Sequence, residues 1–152
     1  MKKVIFTILD GFGIREEQEG NAVKNANTKA IDKLIKEFPN SKLKASGEAV
    51  GLPQGQMGNS EVGHITIGSG RIINQPLQKI NKALEDKSFY NNEEIIKGIK
   101  YAKENNSKLH ILGLLSDGGV HSHINHIFAL IDMAKKENIT KLYILLSLYQ
   151  QS

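Results

Sequence analysis

The chain has 152 residues, enough for one ordinary domain, and its 39% hydrophobic and 24% charged residues leave material for a core and exclude a disordered composition. The net charge of +4 comes from lysines spread along the chain, and with 4 Tyr, 5 Phe and no Trp there is little on which bases could stack, so a solvated surface is expected and no nucleic-acid partner. The absence of cysteine excludes disulfides, thiolate metal sites and thiol catalysis, and fits a cytoplasmic location.

Lys2-Lys3 followed by Val4 to Leu9 has the outline of a signal peptide, but the apolar run ends at Asp10, short of the roughly 7–15 residues that a signal core needs. No run approaches the roughly 20 apolar residues of a membrane span, so no membrane association is expected. Val4-Ile5-Phe6-Thr7-Ile8-Leu9 predicts a strand buried on both faces of a parallel sheet, closed by the turn Asp10-Gly11-Phe12-Gly13. Ile31, Leu34, Ile35 and Phe38 predict an amphipathic helix from about Thr28, ended by Pro39-Asn40.

Residues 46–70 hold seven Gly and one Pro with little periodicity, which predicts a long functional loop. Pro76 predicts the first turn of a helix carrying Leu77, Ile80 and Leu84. Asn91 with Glu94 resembles a capping box before a helix whose buried stripe is Ile95, Ile96, Ile99 and Ala102. Leu109 to Leu115 predicts a buried strand closed by Ser116-Asp117-Gly118-Gly119. Ile124, Ile127, Phe128, Ile131 and Ala134 predict the next helix, and Lys141 to Leu146 another strand. Residues 109–146 therefore predict a strand-helix-strand crossover onto a parallel sheet.

Asp10 stands at the carboxyl end of the first predicted strand, the edge where open α/β sheets bind ligands, and a carboxylate there suits a hard divalent cation. An aspartate that only closes an Asp-Gly turn is the competing reading. Gly11 and Gly13 do not make a dinucleotide fingerprint, because position 16 is Glu16. Ser60 lies in Gly58-Asn59-Ser60-Glu61-Val62-Gly63-His64. A serine hydroxyl needs a base or a metal to become a nucleophile. His64 supplies a base if a helix starts here; a cation shared with Asp10 supplies the alternative, and a serine that merely caps a helix remains open. His121 and His123 follow the second Asp-Gly turn; phosphate contact is preferred over metal ligation for His121, and His123 and His126 read as surface residues of the helix.

Three segments carry a family resemblance. Val4 to Gly13 with Gly20-Asn21-Ala22, Gly51-Leu52-Pro53 through His64 to Ile67-Gly68-Ser69-Gly70-Arg71, and Leu112 to His123 resemble, in this order, the cofactor-independent phosphoglycerate mutases. The match runs from about residue 4 to 143. It implies an α/β enzyme of the alkaline phosphatase superfamily that interconverts 3-phosphoglycerate and 2-phosphoglycerate through a phosphoserine. It also implies two divalent cations, manganese before magnesium or cobalt, no 2,3-bisphosphoglycerate, and a monomeric full-length protein. Asp10 and Ser60 would be ligands of one metal, Ser60 the phosphoryl carrier, and His121 a substrate contact. Residues 1–74 would be the first part of the alkaline-phosphatase-like parallel sheet domain, and 75–152 the start of an inserted α/β transferase domain.

After Ile144 the family continues into a histidine-containing strand and an Asp-Gly-Arg-Asp motif, where this chain reads Leu145 to Ser152. The expectation is a truncated chain with an incomplete metal site and no mutase activity of its own. Two further readings stay open: another metal-dependent phosphatase or phosphopentomutase of the same superfamily, and a non-catalytic, pseudogene-like fragment that exposes part of a core.

Overall fold

The structure, a computed structural model, describes residues 3–148. Met1 and Lys2 of the signal-like start, and Tyr149 to Ser152 of the divergent tail, lie outside the described residues.

Val4 to Leu9 does not form the predicted strand. It is irregular, unpaired chain, with Val4 88% and Ile5 92% exposed. The reason is the lack of a neighbour: a β-run satisfies its backbone only by pairing, and the sheet among the described residues has two strands, both far along the sequence. Two helices follow, α1 (Ala22–Asn25), capped by Asn21, whose side chain accepts from Lys24 N–H, and α2 (Lys29–Glu37). The second matches the expected helix after Thr28, but its apolar stripe is uncovered, with Leu34, Ile35 and Phe38 all more than half exposed.

The predicted loop over 46–70 is largely ordered as short elements. A 3-10 turn (Gly47–Val50) ends at Gly51 in the left-handed conformation, and a ten-residue helix α3 (Ser60–Ser69) ends at Gly70. Val50, Leu52 and Val62 bury one another in a small core between that turn and α3. Periodicity missed α3 because its residues are small and mixed rather than striped.

From Pro76 onward the elements pack. Helix α4 (Pro76–Glu85) begins on its proline and leads into a 3-10 turn (Ser88–Asn91). Helix α5 (Glu93–Glu104) is capped by Asn92 rather than Asn91; the Asn92 side chain accepts from both Glu94 N–H and Ile95 N–H. Ile99 and Ala102 are buried and Ile95 and Ile96 half-buried, as the stripe requires. Strand β1 (Leu109–Leu115), helix α6 (Ile124–Lys136) and strand β2 (Leu142–Leu148) form the expected crossover, with β1 and β2 parallel and Leu109 opposite Leu142. Helix α6 buries Ile127, Ala129, Met133 and Ala134 and packs on β1 and α4, whereas Phe128 faces outward at 53% exposure. The α/β class holds in this unit. Residues before 75 contribute no strand to a sheet among the described residues.

Candidate active site

The turn after Leu9 is tight: Phe12 N–H donates to the Leu9 carbonyl at 3.1 Å, and Gly11 takes φ +79°, a conformation that a side chain would strain. This aims Asp10 at the start of α3. There Asn59, not Ser60, is the cap: its side chain accepts from Val62 N–H at 3.0 Å. Ser60 occupies the first helical position, so its hydroxyl is left for other chemistry. Gly58 fixes the approach, since a Cβ there would run into the carbonyl oxygen of Ala45.

Ser60 Oγ–H donates to Asp10 Oδ2 at 2.6 Å, across 50 residues of sequence. His64 Nδ1 lies 2.7 Å from the Ser60 carbonyl oxygen and 3.1 Å from Ser60 Oγ. A carbonyl only accepts, so the shorter contact places the proton on His64 Nδ1. Nδ1, the ring nitrogen that faces Ser60, therefore has no lone pair for the Ser60 proton in this arrangement, which disfavours the reading of His64 as its base. These residues line an open groove of about 520 Å³ with Leu9, Phe12, Gly58 and Ile67.

Asp10 and Ser60 are hard oxygen donors placed side by side, which fits a divalent cation by donor chemistry. They are too few to hold one by themselves: among the described residues no three His, Cys, Asp or Glu side chains converge on a metal position. No helix of the described residues is long and apolar enough to cross a membrane.

His121 does not line the Ser60 groove. It sits exposed in the turn between β1 and α6. That turn is pinned by Ile124 N–H donating to the Ser116 carbonyl at 2.8 Å and by Ser122 Oγ–H donating to the Leu114 carbonyl at 2.7 Å. His123 and His126 are not the plain surface residues expected. His123 caps α6, accepting from Asn125 N–H on Nδ1 at 3.2 Å. His126 Nε2–H donates to Asn81 Oδ1 on α4 at 2.7 Å. Burial, and secondly the charge of His123, push the His126 pKa below the ordinary histidine value. Sequence reading also missed Asn59, although an Asn three residues before an apolar position is a cap signal, and Gln78, whose burial no local pattern announces.

A family model described as BPG-independent PGAM N-terminus matches residues 80–148, which covers α5, β1, α6 and β2. Curated relatives extend the likeness over nearly the whole sequence. A 2,3-bisphosphoglycerate-independent phosphoglycerate mutase of Onion yellows phytoplasma is 56% identical over 138 residues, 91% of this chain and 27% of the relative. Enzymes of the same name from Mycoplasmoides gallisepticum (57% over 139 residues, 91% and 28%) and Clostridium tetani (56% over 143 residues, 94% and 28%) are similar to it in the same way. Both findings point to the 2,3-bisphosphoglycerate-independent phosphoglycerate mutases as the proteins this chain is similar to, and the chain spans a little over a quarter of the length of the curated relatives it matches.

Proposed function

We propose that the chain carries the phosphoryl-accepting serine of a mutase that interconverts 3-phosphoglycerate and 2-phosphoglycerate. The observation that carries this reading is the 2.6 Å bond between Ser60 Oγ and Asp10 Oδ2, at a helix start that is capped by a different residue. As Ser60 Oγ bonds to phosphorus, its proton leaves along the direction already set toward Asp10. The bond from phosphorus to the glycerate oxygen breaks, and the released oxygen takes a proton. Transfer back to the neighbouring hydroxyl regenerates Ser60. Two divalent cations, manganese in preference to magnesium or cobalt, would neutralise the phosphate oxygens and lower the hydroxyl pKa, with Asp10 and Ser60 holding one of them. His121 would contact the substrate from the inserted domain that starts at residue 75, after a first metal-domain segment over 1–74 related to alkaline phosphatase. The reaction needs no 2,3-bisphosphoglycerate and takes place in the cytoplasm.

With two donors of its own, this chain alone would not turn over substrate; the remaining ligands would be supplied by the further length that the relatives possess. The test is mass spectrometry of a full-length relative-sized protein carrying this sequence, incubated with 3-phosphoglycerate and Mn²⁺. Phosphate on Ser60, lost together with turnover in Ser60→Ala, is the expected result. Phosphate on another residue, or turnover surviving in Ser60→Ala, overturns the reading.

A further inference from the structure

The imidazole of His64 is bonded to the proposed nucleophile itself. Ser60 opens α3 and His64 follows one helical turn later, so the two share a face, and the tilt of helical side chains toward the N-terminus leans the ring back onto Ser60. Its Nδ1 lies 3.1 Å from Ser60 Oγ and 2.7 Å from the Ser60 carbonyl oxygen. A serine hydroxyl has a single proton, and Ser60 directs it to Asp10 Oδ2 at 2.6 Å. Toward the ring, Oγ can therefore only accept. Both contacts thus assign the proton to His64 Nδ1, which donates to the carbonyl and to Oγ together. A base would have to approach Oγ with a lone pair; this ring approaches it with an N–H, from the wall of the same open groove that holds Asp10 and Ser60.

We propose that His64 is a catalytic residue of this site, whose Nδ1–H stabilises the negative charge that Ser60 Oγ carries as it takes up and as it gives back a phosphoryl group. This deepens the reading of Ser60 as the phosphoryl carrier and rests on it. In the first transfer the Oγ–P bond forms and the Oγ proton passes to Asp10. The bond from phosphorus to the glycerate oxygen breaks, and that oxygen takes up a proton from water. In the second, the neighbouring glycerate hydroxyl gives its proton to water and bonds to phosphorus. The P–Oγ bond then breaks with its electron pair left on Oγ, which recovers the proton from Asp10. His64 keeps its own proton throughout. Charge builds on Oγ in both transition states, and a donor already in place is worth more there than in the neutral ground state, because hydrogen bonds to charged groups are the stronger kind.

The test uses the full-length, relative-sized protein that carries this sequence, with Mn²⁺ and saturating 3-phosphoglycerate, quenched at short times so that mass spectrometry follows phosphate on Ser60. His64→Ala is expected to slow both the appearance and the loss of that phosphate by roughly tenfold to a hundredfold, with KM little changed. His64→Asn places an Nδ2–H as many bonds from the main chain as the Nδ1–H of histidine, and should recover most of the rate. His64→Gln carries its N–H one bond further and should not. Alanine is the better helix former, so a purely structural role would rank Ala above Asn, the reverse of the expected order. In the unliganded parent protein, nitrogen NMR of the His64 ring should find Nδ1 protonated, a reading that does not depend on any variant folding. The proposal is overturned by parent rates in His64→Ala, by an Asn variant no faster than the Ala variant, or by a ring whose Nδ1 carries no proton. Each is read with phosphate on Ser60 of the parent protein; phosphate on a different residue would overturn the phosphoryl-carrier reading first, and this one with it.

Discussion

Two stretches of this chain are written in the same way and fold differently. Val4 to Leu9 and Leu109 to Leu115 are both largely apolar runs, broken only by Thr7 in the first and by His110 and Gly113 in the second, and both are followed by an Asp-Gly turn that leads to a candidate functional residue. The second is a strand, because β2 lies beside it in parallel register and α6 lies over it, with Ile127 against Gly113. The first has no partner among the described residues and stays irregular and exposed. Composition therefore makes a run competent for a sheet, and a neighbour decides whether the sheet forms. The turn behaves differently from the strand: the Asp10-Gly11 turn keeps its local hydrogen bonds and still reaches Ser60, even though the run before it is unpaired.

The largest expected effect is in backbone protection. Amides of residues 5–9 should exchange with solvent at close to the unprotected rate, and those of β1 that face β2 on the order of a hundredfold or more slower. Hydrogen exchange read by NMR checks this, and equal protection of the two runs would break the comparison. Next in size is side-chain truncation. Ile111 on β1 is 9% exposed, so Ile111→Ala should cost about 2–4 kcal/mol, whereas Ile5→Ala at 92% exposure should stay within about 0.5 kcal/mol. Urea melts of the two variants measure the difference; similar midpoints would mean that the first run packs in solution.

The start of α3 sharpens the same contrast at a single position. Asn59→Ala should destabilise by about 1 kcal/mol, because it strips the cap from a helix whose Val62 is core. Ser60→Ala should change stability by less than about 0.5 kcal/mol, since the side-chain pair it breaks is exposed. A large loss for Ser60→Ala would assign Ser60 to the fold rather than to chemistry.

Legibility followed the same divide. The crossover over 109–146 was readable because its period, its turn and its partner strand all lie within the chain, and the proline start of α4 because a proline has few other places to go. Asp10 and Ser60 were readable as candidates, but their contact was not, because nothing in either segment encodes a bond across 50 residues. The single-residue error at the α5 cap has a simple cause: Asn91 and Asn92 are chemically the same, and only the observed hydrogen bonds separate them. The roles of His123 and His126 were missed because they depend on α6 meeting α4, a tertiary fact.

The smallest effect is a pH dependence confined to the packed unit. Burial, then the charge of His123, lower the pKa of His126 from its ordinary 6.5. In the unfolded chain His126 would titrate near that ordinary value, so between the folded and unfolded pKa values the unfolded state binds more protons. Its contribution to stability is therefore fully present above about pH 6.5 and is lost as pH falls through the lower folded value. The His126 ring proton followed by NMR should titrate below the ordinary midpoint. Asn81→Asp, which sets a carboxylate against the ring, should move the midpoint upward. His126→Gln should flatten the acid side of the stability profile, while the exchange of residues 5–9 follows only its intrinsic pH dependence. An ordinary or raised midpoint in the parent chain would mean that α4 and α6 do not close on His126 in solution, and the contrast between the packed unit and the exposed run would weaken at the one position where it is set by charge.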